Sequence, residues 1–350
     1  MKRSRISFLV ACLSLAVVMV SCGPDGALPK GGVEGLIPMP QSVAMGSGDL
    51  ECNGSLHVIW PEDWEAEQDV VSRWLENAGI AMDPQSSSTI RFSRTEDVEG
   101  AEGAEAYRLN VESRGVVVEA ATGAGLFRGW MTLRKLLPVE CESGCPEGFV
   151  LPAVSVVDAP FFDHRGLLLD GCRHFQDVAF VKKQVDLLAL HGMNVLHWHL
   201  TEDQGWRIEI KALPRLTSVG AWREEADGTR HGGYYSQEEI REVVAYAAAR
   251  HIEVIPEIEM PGHSSAALAA YPELGCTGLP LEVPARWGVF KDIYCAGNDS
   301  TFGFLEAVLD EVVELFPSPR IHIGGDEAPK VRWSSCKKCQ RRMAQEGLQD

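Results

Sequence analysis

The chain has 350 residues, 45% of them apolar and 23% charged, which excludes intrinsic disorder and leaves room for two domains with buried cores. Its 50 acidic side chains against 32 basic ones give a formal charge of -18, so the surface repels polyanions and nucleic acid is excluded as a partner.

Residues 1–22, MKRSRISFLVACLSLAVVMVSC, open with Lys2, Arg3 and Arg5 and continue into an apolar run from Ile6 to Val20, too short to span a bilayer comfortably. This is the pattern of an export signal over 1–21. Met19-Val20-Ser21-Cys22 resembles the lipobox of bacterial lipoproteins, which implies lipidation at Cys22 and an exported, membrane-anchored protein facing the periplasm or the cell surface. No later stretch is long and apolar enough for a transmembrane helix, so the lipid is the only membrane attachment expected. Export permits disulfides. Cys276 and Cys295, which bracket a loop containing Gly and Pro, are the expected pair, and Cys141 with Cys145 is a weaker candidate. Cys336-Lys-Lys-Cys339 has the spacing of half a zinc site, but no second pair stands at a matching distance, and neither metal nor cofactor is expected.

Residues 22–34, rich in Gly and Pro, read as a tether. Over 35–158 the signals mix. Pro61 to Ala78 has helical spacing, with Val70, Val71, Trp74 and Leu75 on one side. Tyr107, Leu109 and Val111 alternate with polar residues before the turn Ser113-Arg114-Gly115 leads into Val116–Val118, which predicts a hairpin, and Leu126 to Leu137 is amphipathic. This is an α+β domain without a cluster of reactive side chains, a structural companion to the domain on its C-terminal side.

From 159 to 350 the chain alternates strand and helix. HRGLLLD (164–170) is expected as a strand buried on both faces, followed by a helix capped by Asp177 with Val181, Val185 and Leu188 inside. Asn194 to Thr201 is the second strand. Ser236 with Glu239 makes a capping box for a helix burying Ile240, Val243, Val244 and Ala247, and Ile252 to Ile258 is the third strand. A helix from near Ser300, carrying Leu305, Leu309, Val312 and Val313, leads to a fourth strand over Arg320–Ile323. Alternation at this density means a parallel α/β sheet with covering helices.

In such folds the working residues follow the C-terminal ends of the strands. Here Arg173 follows the first strand, Glu202-Asp203 the second, His263 the third and Asp326-Glu327 the fourth. An isolated Asp-Glu pair is ordinarily solvated surface; four such groups on one rim point to a site. Adjacent carboxylates leave the backbone on different sides, so Asp326 and Glu327 address different atoms of one ligand, as acid/base chemistry requires. His263, backed by Glu202 or Asp203, completes a relay. Arg165, at the opposite end of the first strand, is expected to be structural, and Trp198 and Trp206 to be scaffold. His197 and His199 share one strand face with metal-ligand spacing, which keeps a metal-dependent amidohydrolase as an alternative.

RGLLLDGCRHF (165–175), NVLHWHLTEDQGWRIEI (194–210), EIEMPGHSSAAL (257–268) and HIGGDEAPK (322–330) together resemble glycoside hydrolase family 20, the β-N-acetylhexosaminidases. The resemblance implies a TIM (β/α)8 barrel preceded by a small α+β domain. It also implies an exo-acting enzyme that removes terminal non-reducing β-linked N-acetylglucosamine or N-acetylgalactosamine from oligosaccharides or glycoconjugates, with the substrate's acetamido group as nucleophile. By position, Glu327 is then the general acid and base, Asp326 holds the acetamido N–H, Arg173 binds ring hydroxyls, and His263 with Glu202 forms the chain behind Glu327. Where the family more often has Asp-Asp, this chain has Glu202-Asp203, so either carboxylate can support His263. Only four barrel strands can be counted before Asp350, where closure needs eight, so the first half of a barrel is expected. A glycan-binding lipoprotein without turnover is a further alternative.

Overall fold

The computed structural model describes residues 28–349, so the expected export signal, the expected lipidation site Cys22 and the first part of the expected tether lie outside the described residues. From Pro29 the chain is already attached to the first domain: the Val150 N–H donates to the Pro29 carbonyl, the Gly31 N–H to the Val150 carbonyl, and Leu36 is buried.

Alternation builds the first domain. Tyr107, Leu109 and Val111 point into the core from Tyr107–Glu112, which turns back antiparallel to Gly115–Ala120 as the spacing predicts. These two strands lie within a mixed seven-stranded sheet, in the order Ser42–Met45, Val154–Asp158, Tyr107–Glu112, Gly115–Ala120, Thr89–Arg94, Ser55–Ile59, Ala81–Met82. The helix Gly123–Leu136, capped by the Thr122 hydroxyl, is buried almost all round because it packs on this sheet on one side and against the second domain on the other. The neighbouring helix Glu65–Asn77 buries Val71 and Leu75 and sets Trp74 edge-on to Trp130. Cys141 and Cys145 are disulfide-bonded here.

In the second domain Gly166–Asp170, Val195–His199 and Glu253–Glu257 pair in parallel, in that order, with a register that places Asp170, His199 and Glu257 side by side at their C-terminal ends. The first strand corrects the sequence reading: Leu167 and Leu168 are 40% and 50% exposed rather than buried on both faces, because this strand lies at the edge of the three. Among the described residues the expected fourth strand is reduced to one bridge, Glu257 to His322. His322 N–H donates to the Pro256 carbonyl, and Ile258 and Met260 N–H donate to the carbonyls of His322 and Ile323. The chain then leaves the sheet at once through Gly324 and Gly325, both left-handed with φ of 63° and 99°.

Helices Val178–Leu190 and Gln237–Ala248 start where their caps predict, at Asp177 and at the Ser236–Glu239 capping box. Asp299–Leu315 forms as expected but is rotated: it buries Phe304, Val308, Val312 and Leu315, and leaves Val313 63% exposed. This helix is apolar on several sides, so periodicity alone does not select a face; Phe304 does, by packing against Trp206, Tyr271 and Tyr294. Between the domains, Glu105 accepts from both Arg128 and Arg165, while Arg165 also donates to the Gly192 carbonyl, the structural role expected for it.

Candidate active site

Each rim residue is held by the strand end that delivers it. Asp170 Oδ1 accepts the N–H groups of Cys172 and Arg173, which folds the chain back on itself and sets Arg173 Nη1 3.0 Å from Asp170 Oδ2. The other end of the guanidinium lies 3.0 Å from Glu202 Oε2, and its Nε is buried without a partner in the structure. The exposed indole of Trp287 covers it, 5.3 Å from guanidinium carbon to ring centre.

After the second strand a tight hairpin, Thr201–Glu202 against Gly205–Trp206, buries Glu202 and Asp203. Beneath it lies Arg207, fully buried, which donates to the carbonyls of Cys172, Gln204, Ala221 and Gly233 at 2.6–3.3 Å. Gly205 has no room for a side chain, since a Cβ there would stand 2.1 Å from this guanidinium. Sequence reasoning missed Arg207; its only trace is a base inserted among the apolar residues of Trp206-Arg207-Ile208.

After the third strand, Met260-Pro261 is a cis peptide and His263 is left-handed at φ 47°. Its Nδ1 lies 2.8 Å from Glu202 Oε1 and 3.2 Å from Asp203 Oδ2, so both carboxylates support it, Glu202 more closely. Asp203 Oδ1 is occupied by the N–H and hydroxyl of Ser265. The hydrogen bonds to Asp203 and Glu202 outweigh burial and push the imidazole pKa up to about 11. Burial pushes Glu202 up in turn; Asp203, although equally enclosed, is held down by His263 and Ser265.

The last cluster arrives behind the two glycines. A Cβ on Gly324 would lie 1.6 Å from Glu259 Oε2, so this close passage needs glycine for space as well as for φ. Glu327, like His263, is left-handed, with φ 46°. Asp326 Oδ2 and Glu327 Oε2 lie 3.7 Å and 3.5 Å from His263 Nε2, which is charge contact rather than hydrogen bonding. Their side chains are 67% and 56% exposed, open to a ligand. The structure therefore brings together Arg173, Glu202, Asp203, His263, Asp326 and Glu327, all of the rim residues read from sequence.

Below the rim, His197 Nε2 and His322 Nδ1 contact opposite oxygens of Glu257 at 2.8 Å and 2.7 Å, and His199 Nε2 lies 3.2 Å from Glu259. Burial opposes ionisation of Glu257, yet His197, His199 and His322 hold its carboxyl down to about 2. The two strand histidines are thus engaged by carboxylates. Trp198 and Trp206 are buried scaffold, and Trp333 donates its indole N–H to the Tyr294 carbonyl.

The sequence profile of the glycosyl hydrolase family 20 catalytic domain matches residues 162–350, and that of the family's domain 2 matches residues 34–159. The chain belongs to glycosyl hydrolase family 20. Within this family it is 52% identical over 250 residues to the β-hexosaminidase of Porphyromonas gingivalis, covering 70% of this chain and 32% of that protein. It is 41% identical over 249 residues to that of Akkermansia muciniphila, covering 70% and 50%. The GH20 exo-β-N-acetylglucosaminidase of Vibrio harveyi, solved with N-acetylglucosamine, superposes with a TM-score of 0.79 at 31% identity, over 93% of this chain and 52% of that one. The Streptomyces plicatus N-acetyl-β-hexosaminidase with Thio-NAglucal gives 0.77 at 35%, over 92% and 66%. This chain thus spans about a third to a half of the length of the curated relatives named. The family 20 likeness assigns an α/β TIM-barrel-type catalytic domain preceded by a smaller domain, and family membership sets aside the amidohydrolase reading.

Proposed function

We propose that this chain acts as an exo-acting β-N-acetylhexosaminidase, removing terminal non-reducing β-linked N-acetylglucosamine or N-acetylgalactosamine from glycans by substrate-assisted retention. The observation that carries the reading is the convergence of Asp326 and Glu327 on one imidazole nitrogen, beside an Arg173 guanidinium held in place by Asp170 and Glu202. In the first step the acetamido oxygen bonds to the anomeric carbon, the glycosidic bond breaks, and Glu327 gives its proton to the departing oxygen. Asp326 accepts the acetamido N–H and stabilises the positive charge that develops on the oxazolinium ring. In the second step Glu327 takes a proton from water, which attacks the anomeric carbon and opens the ring. His263, protonated throughout the neutral range, contributes a fixed positive charge beside both carboxylates rather than a titrating relay.

An aryl β-N-acetylglucosaminide assay tests the proposal. Glu327→Gln should lower kcat by about 10²–10⁴-fold on poor leaving groups while sparing binding, and Asp326→Asn should act selectively on N-acetylated substrates. Calorimetric binding of N-acetylglucosamine without release at any pH would instead support a glycan-binding module. Export and lipidation at Cys22 belong to the same proposal and rest on the sequence of residues 1–22. Radiolabelled palmitate should enter the wild type and not Cys22→Ser; equal labelling removes the anchor.

A further inference from the structure

Four cysteines from two distant stretches share one space beside the site. Cys276 and Cys295 stand at the two ends of a long loop whose base is pinned by pairing of Gly275 with Tyr294, and Cys336 and Cys339 lie at the start of the helix Lys337–Glu346. Their sulfurs are 3.8 Å apart for Cys276–Cys339, 3.8 Å for Cys295–Cys336 and 3.5 Å for Cys295–Cys339, and all four lie within 4.8 Å of one another. The disulfide expected between Cys276 and Cys295 does not form, because the cluster does not single out a pair: Cys295 and Cys339 each have two sulfur neighbours at similar distance. Four thiolates arranged tetrahedrally around an ion at ~2.3 Å have sulfurs ~3.8 Å apart, against ~2.0 Å in a disulfide.

The backbone is arranged for thiolates as well. The backbone N–H groups of Lys338 and Cys339 lie near the sulfur of Cys336, the N-cap residue of the helix they open, and that of Gly297 lies near the Cys339 sulfur, a polarity that favours thiolates. Gly297 lets the two stretches meet, since a Cβ there would stand 2.2 Å from the backbone of Lys338 and Cys339. Cys295 and Cys339 are buried, Cys276 and Cys336 half-buried, and Lys337 and Lys338 lie on the same turn to offset negative charge.

We infer that Cys276, Cys295, Cys336 and Cys339 bind one zinc ion in a closed, structural site. Loading replaces four S–H bonds with four Zn–S bonds and releases four protons, with no change of oxidation state. The site has four protein ligands and so no open position for chemistry. Its effect is positional. The loop it anchors carries Tyr294, whose N–H donates to the Pro261 carbonyl two residues before His263, and Asp292, which pairs with Arg332 in the segment just after Glu327. The ion thereby ties the His263 loop to the chain that follows the acidic pair. The inference of zinc does not rest on the proposed hydrolysis.

The test uses the whole chain, produced in zinc-supplemented medium, desalted and analysed by plasma mass spectrometry. One zinc per chain is expected, released in step with thiol titration by a mercurial reagent. Cys276→Ser and Cys336→Ser should each lose most of it, whereas Cys52→Ala, at a buried thiol elsewhere, should keep it. If the serine variants do not fold, wild type exchanged into cadmium should show thiolate-to-cadmium absorption in the near ultraviolet. A metal-free chain lighter by four hydrogens at these positions, meaning two disulfides, overturns the inference. So do stoichiometric iron in place of zinc, and zinc retained by the folded serine variants.

Discussion

His263 keeps its proton because two buried carboxylates share its Nδ1–H, and this determines how the protein responds to base. Its pKa rises from 6.5 in the unfolded chain to about 11 in the folded one, so the stability it contributes is fully present below pH 6.5 and is lost as pH rises through 11. Relative to His263→Gln, the wild type should therefore lose stability progressively from about pH 6.5 toward 11. Urea midpoints of the two proteins across that range check this, and a constant difference would show that the imidazole is not held charged. At the same scale, Glu202 was legible in sequence as a rim acid. That it spans Arg173 and His263, one with each oxygen, was not, because this depends on three loops meeting.

Among the elements, the turn behind the fourth pairing segment is the most constrained. Gly324 combines a left-handed φ of 63° with a Glu259 carboxylate oxygen at 1.6 Å from where a Cβ would sit, and it directly precedes Gly325 and the acidic pair. Gly324→Ala should cost about 1–3 kcal/mol and lower kcat more than KM, since the displaced segment carries both Asp326 and Glu327. Thermal unfolding with steady-state kinetics checks it, and wild-type values in both would refute the geometry. Helix starts were readable because a cap is a local event: Asp177 and the Ser236–Glu239 pair bond to backbone within three residues. The buried face of Asp299–Leu315 was not readable, because apolar residues lie on more than one side of it and the choice among them is made by aromatic rings from other elements.

Across the whole molecule, Glu105 joins the two domains by accepting from Arg128, which is 4% exposed, and from Arg165. Glu105→Gln leaves both guanidinium groups without their counter-charge and should destabilise the chain by about 3 kcal/mol. The change should appear in urea denaturation as earlier separation of the two domains; a loss below about 0.5 kcal/mol would mean the pair is solvated. Periodicity, caps and the residues trailing each strand were enough to read an α/β domain with a polar rim behind an α+β companion, and to name all six rim residues. Those signals act between near neighbours in the chain. The exposure of the first strand, the reduction of the fourth to one bridge, the buried Arg207 beneath the rim and the meeting of four thiols each depend on segments far apart in sequence. Local spacing carries no information about such approaches, so they emerged only once the loops had been folded against one another.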